Sequence, residues 1–133
     1  MGHAVKEYPK EACGFLYTRN QYTPNEEWMV ESLDNVSDTP ETSWIPSTSQ
    51  TRAINKKNTD KGWTKIGNIH SHPVKNVNQV KDQNGPSDLD LKYARKFNDV
   101  VRIIIVTGPE CIFDFCVHDK FGNNLNIPLT EGD

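Results

Sequence analysis

The stretch "NIHSHP" at residues 68–73 decides how this chain is read. It closes the strand-like run "WTKIGNIHSH" (63–72) and is stopped by Pro73. Residues i and i+2 of a strand point to one face, so His70 and His72 present two imidazoles side by side. Such a pair can hold a metal ion, although His-x-His also occurs as plain hydrogen-bonded or surface histidine. A metal site would need a third ligand and a proton acceptor from elsewhere in the chain.

Composition sets the frame. The 133 residues fit one domain spanning 1–133, with no internal repeat. A hydrophobic content of 35% and a mean hydropathy of −0.71 predict a small core under a polar surface. Three Trp, five Phe and four Tyr set the chain apart from disordered sequences. The net charge of −3, with scattered Lys and Arg, gives no reason to expect a nucleic-acid partner. No apolar run approaches the roughly 18–20 residues of a membrane span, and "MGHAVKEYPK" has no apolar signal core. Cys13, Cys111 and Cys116 are too few and too irregularly spaced for a disulfide framework. The expectation is a soluble cytoplasmic domain of unspecified oligomeric state.

Periodicity and turn chemistry predict a mixed α and β chain with helices on a central sheet. A short helix ends near Tyr8, before Pro9. "CGFLYTR" (13–19) reads as a buried strand, paired after the turn "NQYTPN" (20–25) with "EEWMVESLDNV" (26–36). Residues 37–49 read as irregular, anchored by Trp44, and 50–62 as a helix stopped by "DKG". Residues 74–86 read as a mobile loop, and 87–100 as a helix with Leu89, Tyr93, Ala94 and Phe97 on one stripe. "VRIIIVTG" (101–108) is the expected central strand and "CIFDFCVHD" (111–119) its partner. "KFGNN" is a turn, and "LNIPL" an edge strand or nothing regular.

The third ligand has candidates in "PSDLD" (86–90), which places carboxylates at a helix start. Ser87-x-x-Asp90 is also a capping-box-like signature found at any helix opening, and one helix end can serve both purposes. The proton acceptor must be a group that is not itself a ligand. Glu11, directly before the buried run "CGFLY", is the candidate, although spacing alone is equally compatible with an ordinary exposed acid like Glu7.

Taken in order, "EACGFLY", "GNIHSHP" and "PSDLDL" resemble the motif of the JAMM (JAB1/MPN/Mov34) zinc metalloproteases. The opening "HAVKEYPKEACGFLY" looks most like the prokaryotic and phage branch, including JAMM domains of phage tail assembly proteins. The resemblance implies a cytidine-deaminase-like mixed sheet flanked by helices. It also implies Zn²⁺ on His70, His72 and Asp90, with water in the fourth position. Glu11 would be the general base, and Ser87 a hydrogen-bond donor to the oxyanion. The implied activity is hydrolysis of a peptide or isopeptide bond in a protein substrate, including bonds at the C-terminus of a ubiquitin-like protein. The alternative is a non-catalytic MPN-type interaction module in a larger assembly; a structural zinc site is disfavoured because such sites are closed by four protein ligands.

Between His72 and Asp90 lie 17 residues (73 to 89), more than is usual in that family. Asp82 and Asp88 are therefore alternative ligands, and the extra loop is expected to act as a flap over the cleft. Cys13 is expected as a small buried thiol, and Cys111 and Cys116 on opposite sides of one strand. His3 and His118 are expected at the surface, and Trp63 packed under the sheet. Asn68 and Ser71 are expected to support the imidazoles from behind.

Overall fold

The structure is a computed structural model that describes residues 2–19, 28–97 and 99–125. Its framework is a five-stranded mixed sheet in the order β2-β1-β3-β4-β5. The strands are β1 (Cys13–Thr18), β2 (Trp28–Leu33), β3 (Thr64–Pro73), β4 (Val101–Thr107) and β5 (Ile112–His118). β1 runs antiparallel to both β2 and β3, β4 parallel to β3, and β5 antiparallel to β4. Every residue of β1 and β4 is buried, as expected of two runs apolar on both faces.

The helices are α1 (Gly2–Glu7), α2 (Thr48–Asp60), α3 (Val80–Gln83) and α4 (Asp88–Phe97). On one sheet face, Ala4 of α1 joins Leu16, Ile66, Ile103, Ile105 and Val117 in a core cluster. On the other, Ile54 of α2, Trp44 and Trp63 pack on Cys13, Phe15, Tyr17 and Leu33. α2 starts two residues earlier than the sequence suggests because the Ser47 hydroxyl accepts from the Gln50 amide and caps it. Gly62, at φ +85°, turns the chain after it.

β3 and β4 are joined through α3 and α4, so both point their C-terminal ends the same way. Gly67 makes this pairing possible: a Cβ there would sit 1.6 Å from the Val101 carbonyl oxygen. The resulting register sets His70 beside Ile104 and His72 beside Val106. In open α/β sheets, ligand sites form at carboxyl ends of strands, and both histidines lie at that end of β3.

Several expectations need correction. Strand β2 covers only Trp28–Leu33 of the predicted 26–36; Asn35 makes an isolated bridge to Pro46, and residues 20–27 lie outside the described chain. The segment 74–86 is not a plain loop: Val74 is buried, residues 77–79 form a 3₁₀ turn, and α3 follows. Asn76 and Gln79 side chains accept from the Asn78 and Lys75 amides, which lets this polar stretch coil on itself. In the predicted α4 stripe only Ala94 is buried, while Leu89, Tyr93 and Phe97 are 54%, 42% and 59% exposed. "VRIIIVT" is buried throughout and is an interior strand as expected, paired with β3 on one side and β5 on the other.

His118 is fully buried, contrary to expectation, because the turn after β5 folds back over it and Asn124 bridges to it. Gly122 at φ +88° permits that turn. His3 is half-buried beside Glu7. Cys111 is exposed and precedes β5, so it does not share a strand with the half-buried Cys116. The edge strand proposed for "LNIPL" lies mostly outside the described residues.

Candidate metal centre

The alternation of β3 places both imidazoles on one face, with their Nε2 atoms 3.2 Å apart. Asp90 closes the triangle: its two carboxylate oxygens lie 3.4 Å from His70 Nε2 and 3.3 Å from His72 Nε2. Asp82 and Asp88 are exposed, and among the described residues it is Asp90 that pairs with the two histidines. The extra residues before α4 therefore do not displace the Ser-x-x-Asp helix start from the histidines.

The helix start is capped and at the same time turns its Asp90 carboxylate to the histidines. The Ser87 hydroxyl accepts from the Asp90 amide at 3.1 Å, and the Ser87 amide donates to Asp90 Oδ2 at 3.0 Å. This reciprocal capping box satisfies two backbone amides at the helix opening and aims the Asp90 carboxylate. Ser87 lines the same open cleft as Glu11, His72 and Asp90.

Glu11 comes from the opposite side. It is buried, and one of its carboxylate oxygens falls within 4.8 Å of ring nitrogens of both His70 and His72. Its backbone is tightly held: the amide donates to the Pro40 carbonyl at 2.6 Å, and its carbonyl accepts from the Asn35 side-chain amide at 2.8 Å. The next residue is tied to the histidine strand, since the Ala12 amide donates to Ser71 Oγ at 2.7 Å and the Ser71 amide to the Ala12 carbonyl. Ser71 thus fixes the Glu11 strand against the His pair rather than contacting an imidazole. Asn68 likewise donates to Asp99, not to a histidine.

The imidazoles are oriented by other means. His70 stacks on Trp44, centroids 5.5 Å apart at 25°, and its Nδ1 meets no acceptor among the described residues. His72 Nδ1 faces the Gln83 carbonyl of α3 at 2.8 Å. The segment expected as a flap supplies the acceptor that sets the His72 ring.

Burial and mutual charge shape the protonation of the site. Full burial lowers His70 to about 4, against the pull of the Asp90 carboxylate. Burial also opposes charge on His72, but Asp90, the Gln83 carbonyl and Glu11 outweigh it and raise the ring above its ordinary value. Asp90 is partly desolvated, yet the two imidazoles and the Ser87 amide hold it far below the usual carboxylate range. Burial pushes Glu11 up to about 7, only partly countered by His72. Burial also drives the Cys13 thiol up to about 12, which makes it the inert buried cysteine expected.

The donor set suits a small divalent ion. With Zn–N and Zn–O distances near 2.0–2.1 Å and tetrahedral angles, neighbouring ligand atoms sit roughly 3.3–3.4 Å apart. The two Nε2 atoms are 3.2 Å apart, close to that spacing, and each lies 3.3–3.4 Å from a different oxygen of the Asp90 carboxylate.

The sequence matches a family of prokaryotic homologs of the JAB domain over residues 1–116. The chain belongs to that family. Among solved structures, it resembles a protein of Desulfitobacterium hafniense, with TM-score 0.64, 24% identity, and coverage of 98% of this chain and 86% of the other. A protein of Salinibacter ruber has TM-score 0.61 and 20% identity, over 94% of this chain and 81% of that one. A JAB1/MPN domain protein of Archaeoglobus fulgidus has TM-score 0.54 and 18% identity, over 93% and 82% of the two chains. At these identities the likeness concerns the fold, and the mixed sheet with flanking helices is the JAB/MPN fold. No curated protein is significantly similar to the chain.

Sequence reasoning missed three contributors to the site. Gln83, at the end of the short α3, acts through its backbone carbonyl and Asn35 through its side-chain amide, and neither leaves a periodic signal. Arg102 does leave one: a single charge in the otherwise apolar run "VRIIIVT" implies a buried partner. That partner is Asp99, three residues earlier.

Proposed function

We propose that this JAB-domain chain is a zinc-dependent hydrolase of peptide or isopeptide bonds, acting in the cytoplasm on protein substrates. One observation carries the reading: His70, His72 and Asp90 converge at ligand spacing, with the buried Glu11 carboxylate beside them on the open side. His70, His72 and Asp90 would hold the ion, because their donor atoms are the closest set. A bound Zn²⁺ would polarise a carbonyl and lower the pKa of water at the site from about 15.7 towards about 7.

The chain's own residues do the rest. Glu11, fixed through Pro40, Asn35 and Ser71, accepts a proton at its carboxylate from the attacking water and returns it to the departing amine. Ser87 accepts the Asp90 amide with its oxygen and keeps its hydroxyl hydrogen for the oxyanion that develops on the substrate. The substrate lies in an open cleft of about 800 Å³. Trp44 and Leu89, Tyr93 and Phe97 of α4 are among the residues that line it. An extended apolar chain suits such walls, and the C-terminal tail of a ubiquitin-like protein is the substrate we favour.

Glu11→Gln tests the assignment. The variant is expected to retain native metal content by elemental analysis while hydrolysis of a ubiquitin-like fusion falls by about 10²–10⁴. Loss of metal in Glu11→Gln would make Glu11 a ligand. A native chain that binds zinc but cleaves no peptide or isopeptide substrate would favour a non-catalytic interaction module.

A further inference from the structure

The cleft wall that carries Asp90 is tied to the sheet by a buried cation outside the ligand set. Arg102 of β4 is 1% exposed and sits beside Asn68 of β3, two residues before His70. Its Nε donates to Asp99 Oδ2 at 2.9 Å, and Asn68 Nδ2 donates to the same oxygen at 2.6 Å. Asp99 itself is 4% exposed, and its amide donates to the Ala94 carbonyl at the end of α4. The second arm of the guanidinium, Nη1, donates to the backbone carbonyl of Asp90 at 2.7 Å. The same guanidinium lies 5.9 Å from the centroid of Trp44, whose other neighbour is the His70 ring.

A buried ion pair is a poor way to add stability, because desolvation offsets most of its attraction and an apolar pair of similar volume often does as well. Asp99 and Arg102 gain something else from being charged and planar. The guanidinium fork spans two acceptors at fixed spacing, which an ammonium on a flexible stem cannot reproduce. One acceptor is anchored between Asn68 of the sheet and the C-terminal end of α4. The other is the backbone of Asp90 in the first turn of that helix.

We propose that Arg102 is a positioning residue that sets two of the three ligands at once, Asp90 through its carbonyl and His70 through the Trp44 ring. The inference rests on the metal-binding reading above. With this fork in place, the Asp90 carboxylate is held at ligand distance from both imidazoles before any ion arrives. Without it, the cap at Ser87 and the packing of Ala94 remain to hold α4 near the histidines.

The test uses Co²⁺ as the probe on the full chain, in three forms: native, Arg102→Lys, and the charge-neutral double variant Arg102→Met/Asp99→Asn. Affinity is measured by titration, ligand geometry by the visible ligand-field bands, and fold by thermal denaturation of the metal-free protein. Both variants are expected to bind Co²⁺ about 10–100-fold more weakly, at temperatures where they are fully folded, with altered bands. If Arg102→Lys does not fold, the double variant carries the same measurement, since it leaves no buried charge unpaired. Folded variants with native affinity and native bands would reduce Arg102 to a stabilising residue and overturn the proposal. A native chain that binds no Co²⁺ would instead overturn the metal-binding reading itself.

Discussion

His70 and His72 stand on a strand hydrogen-bonded on both sides, whereas Asp90 and Ser87 stand on the first turn of a helix reached through an irregular segment. On the sheet side, pairing register alone puts the imidazoles together, and Gly67 fixes that register by its close approach to Val101. On the helix side nothing so cooperative is available. The position of Asp90 depends on separate ties: the capping box with Ser87, the Arg102 fork, and the contact of Gln83 with His72. A ligand on a strand thus inherits its geometry from the fold, while a ligand on a helix end has to be held there residue by residue.

The sharpest way to break the sheet side is His70→Ala/His72→Ala. Two of three donors vanish, and metal content is expected to fall from near one per chain to near zero by elemental analysis. His72 is partly exposed and the sheet keeps its backbone pairing, so far-ultraviolet circular dichroism should stay native. Zinc retained in the double variant would mean that the ion binds elsewhere.

The same contrast governs what could be read from the sequence. His70, His72 and the strand beneath them are legible because a period of two in a β-rich run fixes which side chains share a face. The Ser87–Asp90 box is legible because capping is local, spanning three residues. What joins the two sides is not. The contact between His72 and Gln83 depends on the backbone path of residues 74–86, where Val74 is buried and a short helix forms although composition suggested a loop. The exposed Leu89, Tyr93 and Phe97 follow the same logic. A helical stripe shows which residues share a face, but not whether that face meets the sheet or a cleft.

On the helix side, Ser87→Ala should separate the two jobs of one hydroxyl. Loss of the cap to the Asp90 amide is expected to cost about 1 kcal/mol of stability. Loss of the oxyanion donor should lower kcat by about 10²–10³, with metal content unchanged because the Ser87 backbone amide still holds Asp90. A variant with unchanged kcat would confine Ser87 to capping.

Replacing residues 76–85 by a short Gly-Ser turn probes the link between the two sides. The His72 ring loses its Gln83 acceptor, and Zn²⁺ affinity is expected to weaken about 10-fold. Gln79 and Gln83 also line the cleft, so we propose that the segment acts as a flap over bound substrate, and KM should rise together with the loss of affinity. Unchanged turnover and affinity in the shortened protein would sink the flap.

The smallest effect expected lies at the far edge of the sheet side, where His118 pairs with Arg102 across β4 and β5. Burial, reinforced by the nearby Arg102 charge, lowers His118 below its ordinary value of 6.5, and the Asp119 carbonyl only partly restores it. Between the lowered folded value and 6.5 the unfolded chain binds more protons than the folded one, so stability falls as pH drops through that window and levels off below it. His70, lowered to about 4 in the metal-free protein, acts in the same direction, while the raised Glu11 acts in the opposite one. The difference between native protein and His118→Asn cancels both and isolates His118. Thermal denaturation of the two metal-free proteins between about pH 7 and about pH 5 should show the native midpoint falling more steeply than that of the variant. Parallel slopes would mean that His118 takes up its proton in the folded protein as readily as in the unfolded chain. The sheet beside Arg102 would then accommodate a second cation, and the Arg102 fork would be less desolvated than its burial implies.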